Sequence, residues 1–148
     1  MKETCGLCPK TCVADRDKTP GACGEKSVMR IAKYYPHMFE EPPISGKNGS
    51  GTIFFTGCSL RCVFCQNFTL SRSERGKEIS PAELADIFKI LENTGVHNIN
   101  LVTPTHFVKE IVKAFEIYRP KIPVVYNTHS YETQKTLDLI DPFVDIYL

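Results

Sequence analysis

Residues 51–67 read GTIFFTGCSLRCVFCQN, a short apolar run that passes directly into Cys58, Cys62 and Cys65. Thr52 to Thr56 (TIFFT) is β-branched and aromatic, which predicts a buried strand. Downstream, short apolar runs alternate with helical periods. Ser80-Pro81-Ala82-Glu83 carries three agreeing signals for a helix start: Ser80 as N-cap, Pro81 at the first helical position, and Glu83 to complete a capping box. Leu84, Ile87, Phe88 and Leu91 follow at helical spacing, and Gly95 suits the left-handed C-terminal position. Ile99 to Thr103 (INLVT) predicts the next strand, and Val108, Ile111, Val112 and Phe115 a second amphipathic helix closed by Pro120. Ile122 to Tyr126 (IPVVY) predicts a third strand, Glu132 to Ile140 a third helix, and Phe143 to Leu148 (FVDIYL) a fourth strand. The order βαβαβαβ predicts an α/β fold with a parallel sheet covered on at least one face. Ligands gather at the carboxyl ends of such strands. The three cysteines begin where the first strand ends.

Upstream the character differs. Residues 1–33 are rich in cysteine, are broken by Pro9, Pro20, Gly21 and Gly24, and show no clear period. Residues 34–50 (YYPHMFEEPPISGKNGS) carry Pro36, Pro42, Pro43, Gly46 and Gly49 and read as a long surface connection. The expected division is a cysteine-rich metal-binding segment (1–33), a linker (34–50) and a βα-repeat region (51–148). That last region ends inside its fourth predicted strand, which leaves an apolar segment without a covering helix, so a truncated domain is expected. The formal net charge of +1 argues against capture by nucleic acid or an anionic membrane. No apolar run approaches the roughly 20 residues that span a bilayer, and the opening residues lack the basic-then-apolar order of a secretory signal. A reducing, cytoplasmic location is the expectation.

Seven cysteines are an odd count, and with no export signal they fit a disulfide framework badly. They fall into two clusters, Cys5, Cys8, Cys12 and Cys23, then Cys58, Cys62 and Cys65. Three thiolates at x3 and x2 spacing suit three corners of a cubane iron–sulfur cluster, leaving one iron open to another ligand. A zinc site that borrows a further His or Cys is the alternative. The first cluster has enough thiolates for tetrahedral zinc or for a second iron–sulfur cluster, and unliganded thiols are the third reading.

The pattern CxxxCxΦC, with Phe64 in the aromatic place, resembles the signature of radical S-adenosylmethionine (SAM) enzymes. With LCPKTC and EEPPISG before it and NINLVTPTHF, VVYNT and VDIYL after it, the chain is similar to homologues of pyruvate formate-lyase activating enzyme. The resemblance implies a partial βα barrel of the radical SAM type, of which about three and a half units would be present. It implies a 4Fe-4S cluster on Cys58, Cys62 and Cys65, whose open iron chelates SAM. Reductive cleavage would then yield a 5′-deoxyadenosyl radical that abstracts hydrogen. It further implies a glycyl radical enzyme as substrate partner and a flavodoxin- or ferredoxin-type electron donor. By similarity Phe64 lies beside the adenine, against simple core packing as the other reading. The loop of Thr103, Thr105 and His106 would hold the methionine group, with a plain N-cap as the competing role for Thr105. Asn127, followed by Thr128 and His129, would hold the carboxylate or ribose, unless it only terminates its strand. Relatives of this kind read YNTxGY, whereas Ser130 stands at the glycine here, and a positive φ there would strain the loop. Two other functions stay open: a non-catalytic iron–sulfur or zinc-binding module, and radical SAM modification of a different substrate.

Overall fold

The computed structural model describes residues 5–72 and 75–148, so the first four residues of the cysteine-rich segment lie outside the described residues. The strands among the described residues are β1 (Arg30–His37), β2 (Ser50–Phe55), β3 (Lys77–Glu78), β4 (Ile99–Val102), β5 (Val124–Asn127) and β6 (Ile146–Tyr147). The helices are α1 (Pro42–Ser45), α2 (Phe68–Ser71), α3 (Pro81–Asn93), α4 (Val108–Ile117) and α5 (Gln134–Ile140). The strands form one sheet in the order β3-β1-β2-β4-β5-β6. β2, β4, β5 and β6 run parallel, while β1 is antiparallel to both β2 and β3. This is the α/β architecture expected, with an antiparallel strand added on one side.

The core lies on one face of the sheet. Ile53 and Phe55 of β2, Ile99 and Leu101 of β4, and Val124 and Tyr126 of β5 pack there against Leu84, Phe88 and Leu91 of α3 and Ile111 and Phe115 of α4. Alternation along the strands turns Thr52, Phe54, Asn100, Val102, Val125 and Asn127 to the opposite face. The start of α3 is as the residues predict: the Glu83 amide donates to Ser80 Oγ at 3.2 Å, and the Ser80 amide donates to Glu83 Oε2 at 2.8 Å. The Ser80 amide, the Lys77 ammonium 3.1 Å away and the Ser80 hydroxyl, which also donates to Glu83 Oε2, hold the Glu83 carboxyl below the usual range. Gly51 lets β2 pass close under the α3 connection, because a Cβ there would meet the Asn98 carbonyl at 2.8 Å and Val96 Cγ2 at 2.9 Å.

Residues 34–50, expected to be a long surface connection, contain regular structure. Residues 34–37 form the second half of β1, and residues 42–45 form α1. Pro36 obscured the strand, since proline is confined to edges within sheets. Here β3 pairs only with Arg30 and Ile31, so Pro36 sits beyond it, where β1 has no second neighbour among the described residues. Thr105 is not an N-cap. It opens a 3-10 turn, Thr105–Phe107, and the residue at the head of α4 is Phe107.

Candidate functional site

β2 leads into the cysteine loop through Gly57, which has φ +73° and whose Cβ would meet the Cys23 carbonyl at 2.8 Å. Only glycine permits both the turn and that approach. Cys58 is 8 % exposed at the base of the loop, while Cys62 and Cys65 are partly exposed further along it. All seven cysteines are free.

The loop is braced from several directions. The Cys58 amide donates to the Cys23 carbonyl at 3.0 Å, and the Gly57 amide donates to the Leu70 carbonyl at 3.0 Å. His106 Nε2 lies 2.7 Å from the Thr56 carbonyl, so this nitrogen carries the proton. Burial pushes the His106 imidazole down to about 3, so the ring stays neutral. On the other side, His129 Nδ1 accepts from the Tyr131 amide at 3.2 Å, which leaves Nε2–H to donate to Ser59 Oγ at 3.2 Å. Burial lowers the His129 pKa as well, opposed by the Glu132 carboxylate 3.9 Å away. Glu132, whose side chain is 4 % exposed, accepts from Thr128 Oγ1 and, at 2.8 Å, from Thr105 Oγ1. One buried carboxylate thereby ties the ends of β4 and β5 together.

In front of this scaffold is a cleft of about 1050 Å³ at the carboxyl ends of β4 and β5. Cys62, Phe64, Cys65 and Asn67 line one side, and Val102, Thr103, Asn127 and Thr128 line its floor. Phe64 stands 87 % exposed, so core packing does not explain it. Of the residues expected at the site, Phe64 and Asn127 share this cleft with Cys62 and Cys65. Thr105 does not line it: it is fully buried and its hydroxyl is committed to Glu132, so Thr103 lines the cleft in its place, beside Thr128, whose hydroxyl also donates to Glu132. Backbone strain marks the same loops. Among the described residues, the non-glycine residues with left-handed φ are Thr11 (+42°), Arg61 (+53°), Thr103 (+52°) and Ser130 (+58°). Thr11 and Arg61 lie inside the two cysteine clusters, and Thr103 lines the cleft. Such outliers cluster at ligand sites.

The donor set of the loop, three free thiols of which Cys62 and Cys65 line a strand-end cleft, suits an iron–sulfur cluster. Among the described residues no three His, Cys, Asp or Glu side chains converge into a metal-holding group, in either cysteine cluster. The backbone therefore brings the donors into one loop, and metal binding would draw the thiols together. Near the N-terminus, Arg16 Nη1 lies 3.6 Å from Cys5 Sγ, and the Ala22 amide donates to Cys12 Sγ at 3.3 Å. Burial raises the Cys23 pKa, with Arg16 opposing it.

A parallel α/β sheet with a thiol-bearing loop after its first parallel strand, facing a strand-end cleft, is the arrangement of a partial βα barrel with its candidate site at the strand ends. The family model of the radical SAM superfamily matches residues 52–147, and the chain belongs to that family. Its members generally use a 4Fe-4S cluster and SAM. An uncharacterized protein of Methanocaldococcus jannaschii is 32% identical over 155 aligned residues, which cover 99% of this chain and 44% of that protein. The chain thus spans less than half the length of that relative. No solved structure matches it. No helix among the described residues is long and apolar enough to cross a membrane.

Proposed function

We propose that this chain carries the cluster- and SAM-binding part of a radical SAM enzyme of the activating type, with Cys58, Cys62 and Cys65 as the cluster ligands. The observation that carries this reading is that Cys62, Cys65, Phe64 and Asn127 open onto one strand-end cleft. A cluster held by Cys58, Cys62 and Cys65 would supply the electron for reductive cleavage of SAM, and with it the means to abstract hydrogen from the substrate. The chain's own residues position the reactants. Phe64 offers a ring face to the adenine, Asn127 an amide to the ribose or carboxylate, and Thr103 a hydroxyl to the methionine end. The substrate in this reading is a glycine of a partner glycyl radical enzyme, and the electron donor a cytoplasmic flavodoxin or ferredoxin. The similarity of residues 51–67 and EEPPISG to activating-enzyme homologues supports it. At the N-terminus, Cys5, Cys8, Cys12 and Cys23 are the proposed ligands of a second metal, zinc or iron–sulfur, within a segment 1–33.

Anaerobic reconstitution is expected to load about four irons per chain at the Cys58 loop, the cubane stoichiometry. Cys58→Ala, Cys62→Ala and Cys65→Ala should each empty it, and a triple variant with unchanged iron and sulfide would overturn the assignment. Methionine and 5′-deoxyadenosine formed under strong reductant separate the enzyme from a passive metal-binding module. With a glycyl radical enzyme deuterated at glycine, the label should appear in 5′-deoxyadenosine. Label arriving only from another substrate would replace the activating role. A Cys5→Ala, Cys8→Ala variant should lose one metal equivalent while keeping the Cys58 cluster.

A further inference from the structure

The second wall of the cleft belongs to β1, and it is there by virtue of a bulge. Ile31 pairs with Phe55 and faces the helix-covered core, yet Lys33 pairs with Phe54, because the register shifts between Ile31 and Lys33. In a regular strand residues two apart share a face, so an unbulged β1 would drive Lys33 into the core. The extra residue instead turns Lys33, Tyr35 and His37 towards the cleft, which all three line. Bulges are over-represented beside active sites because they re-aim side chains in this way.

Tyr35 and Phe54 stack at 5.8 Å, and His37 packs edge-on to both. Over these rings sits the Lys33 ammonium, 4.7 Å from the Phe54 centroid and 5.2 Å from that of Tyr35. Lys18, Lys77, Lys89 and Lys113 each reach a carboxylate within 3.1 Å. Lys33 has no such partner among the described residues, although Glu40 and Glu41 line the same cleft. Burial pushes the Glu40 carboxyl up, with His37 opposing and Glu41 reinforcing the shift. A cation fixed by ring faces keeps its N–H donors available. A cleft of about 1050 Å³ stands at the upper end of what one drug-sized ligand fills, so SAM beside Cys62 and Cys65 leaves the β1 side for a second molecule. On the cleft-side face of β4, buried Asn100 has both amide atoms without a hydrogen-bond partner, a further polar group facing away from the core.

We propose that the β1 wall is the substrate wall of this enzyme, and that Lys33 is its specificity residue, receiving an anionic group, carboxylate or phosphate, of the substrate on the Tyr35–Phe54 platform. This rests on the radical SAM reading above. The test uses the reconstituted chain, its Lys33→Met variant, which keeps the apolar stem over the rings, and Lys33→Arg, which restores the charge. Succinate and inorganic phosphate serve as separate calorimetric probes, and SAM affinity and reductive cleavage to 5′-deoxyadenosine are measured on the same samples. The expected result is at least a tenfold loss of affinity for one probe in Lys33→Met, recovery in Lys33→Arg, and SAM affinity within twofold of wild type. Which probe responds identifies the group. Equal probe affinity in wild type and Lys33→Met overturns the proposal. So does a parallel loss of SAM affinity, which would assign Lys33 to the carboxylate of SAM itself. Failure of wild type to load a cluster or cleave SAM would instead sink the radical SAM reading, and probe binding is read independently of it.

Discussion

The neutral state of His106 has a consequence that acid titration can read. Its imidazole is held down to about 3 by burial, against 6.5 for an ordinary histidine. The unfolded chain therefore binds a proton that the folded chain refuses between these values, so stability rises with pH across that window. The contribution is complete above pH 6.5 and is lost as pH falls towards 3. Denaturant titrations at successive pH values should show His106→Gln with a shallower slope between pH 6.5 and 3. The glutamine N–H can keep the bond to the Thr56 carbonyl, so at pH 7 the cost should stay near the ~1 kcal/mol of one imperfect hydrogen bond. An unchanged slope would mean that His106 already titrates in the fold. Ser130 is a second residue with a definite sign. At φ +58° its Cβ is strained, and glycine at this position should stabilise the chain by roughly 1 kcal/mol, the left-handed penalty less the entropy that glycine adds to the unfolded state. A lower melting midpoint for Ser130→Gly would show that the Ser130 side chain contributes something the backbone strain does not reveal. At this scale the placing of Cys62, Phe64, Cys65 and Asn127 on one cleft was legible because each lies at or shortly after a strand end. Thr105 was not, since its hydroxyl is claimed by Glu132, 27 residues away. Lys33 was illegible because its direction is set by a bulge against β2, and no local pattern encodes a register shift.

Among the elements, α3 was the most legible, and its cap can be tested. Ser80→Ala removes the acceptor for the Glu83 amide and should cost ~1 kcal/mol. A loss below a few tenths would mean water replaces the bond. The strand before it is less forgiving. Gly51→Ala places a methyl 2.8 Å from the Asn98 carbonyl and 3.3 Å from Leu91 Cβ, where backbone and helix must shift together. Overpacking of this kind costs about 1–3 kcal/mol, so Gly51→Ala should unfold at lower denaturant than Ser80→Ala. The boundaries of β4, β5 and α4 came from apolar period and proline stops, which are local signals. β1 escaped because its exposed face alternates Lys33, Tyr35 and His37 around a proline, a pattern that resembles a loop until β2 is known to lie beside it. The predicted fourth strand shrank to Ile146–Tyr147, since Asp141 to Phe143 instead form a 3-10 turn.

Across the whole molecule, the cysteine-rich segment is built into the sheet region rather than hung from it. The Cys23 carbonyl receives the Cys58 amide at the base of the candidate cluster loop. Arg16 donates to the carbonyls of Glu25 and Lys26, and at 2.8 Å to that of His106, whose ring in turn holds the Thr56 carbonyl. At the far end, Thr133 Oγ1 donates to the Gly6 carbonyl at 2.9 Å and Thr136 Oγ1 to the Leu7 carbonyl at 2.8 Å, fastening the segment to the start of α5. These bonds link the candidate cluster loop, the β4 end and α5 through one stretch of chain, a connection that cysteine spacing could not show because every partner is distant in sequence. Removal of residues 1–24 should therefore leave the Cys58 amide unpaired and damage the loop as well as the segment. Each buried donor stranded in this way costs about 1–3 kcal/mol, so a melting midpoint several degrees lower is expected. Iron loading at Cys58, Cys62 and Cys65 should fall with it, although none of those residues is removed. Arg16→Met is the milder arm: it keeps all seven cysteines and removes the donors to the Glu25, Lys26 and His106 carbonyls. Its iron content should decline less than in the deletion while its stability loss remains measurable. If the shortened chain melts at the same temperature and loads the same iron as the full one, the segment is an independent module and the interlock carries no energy.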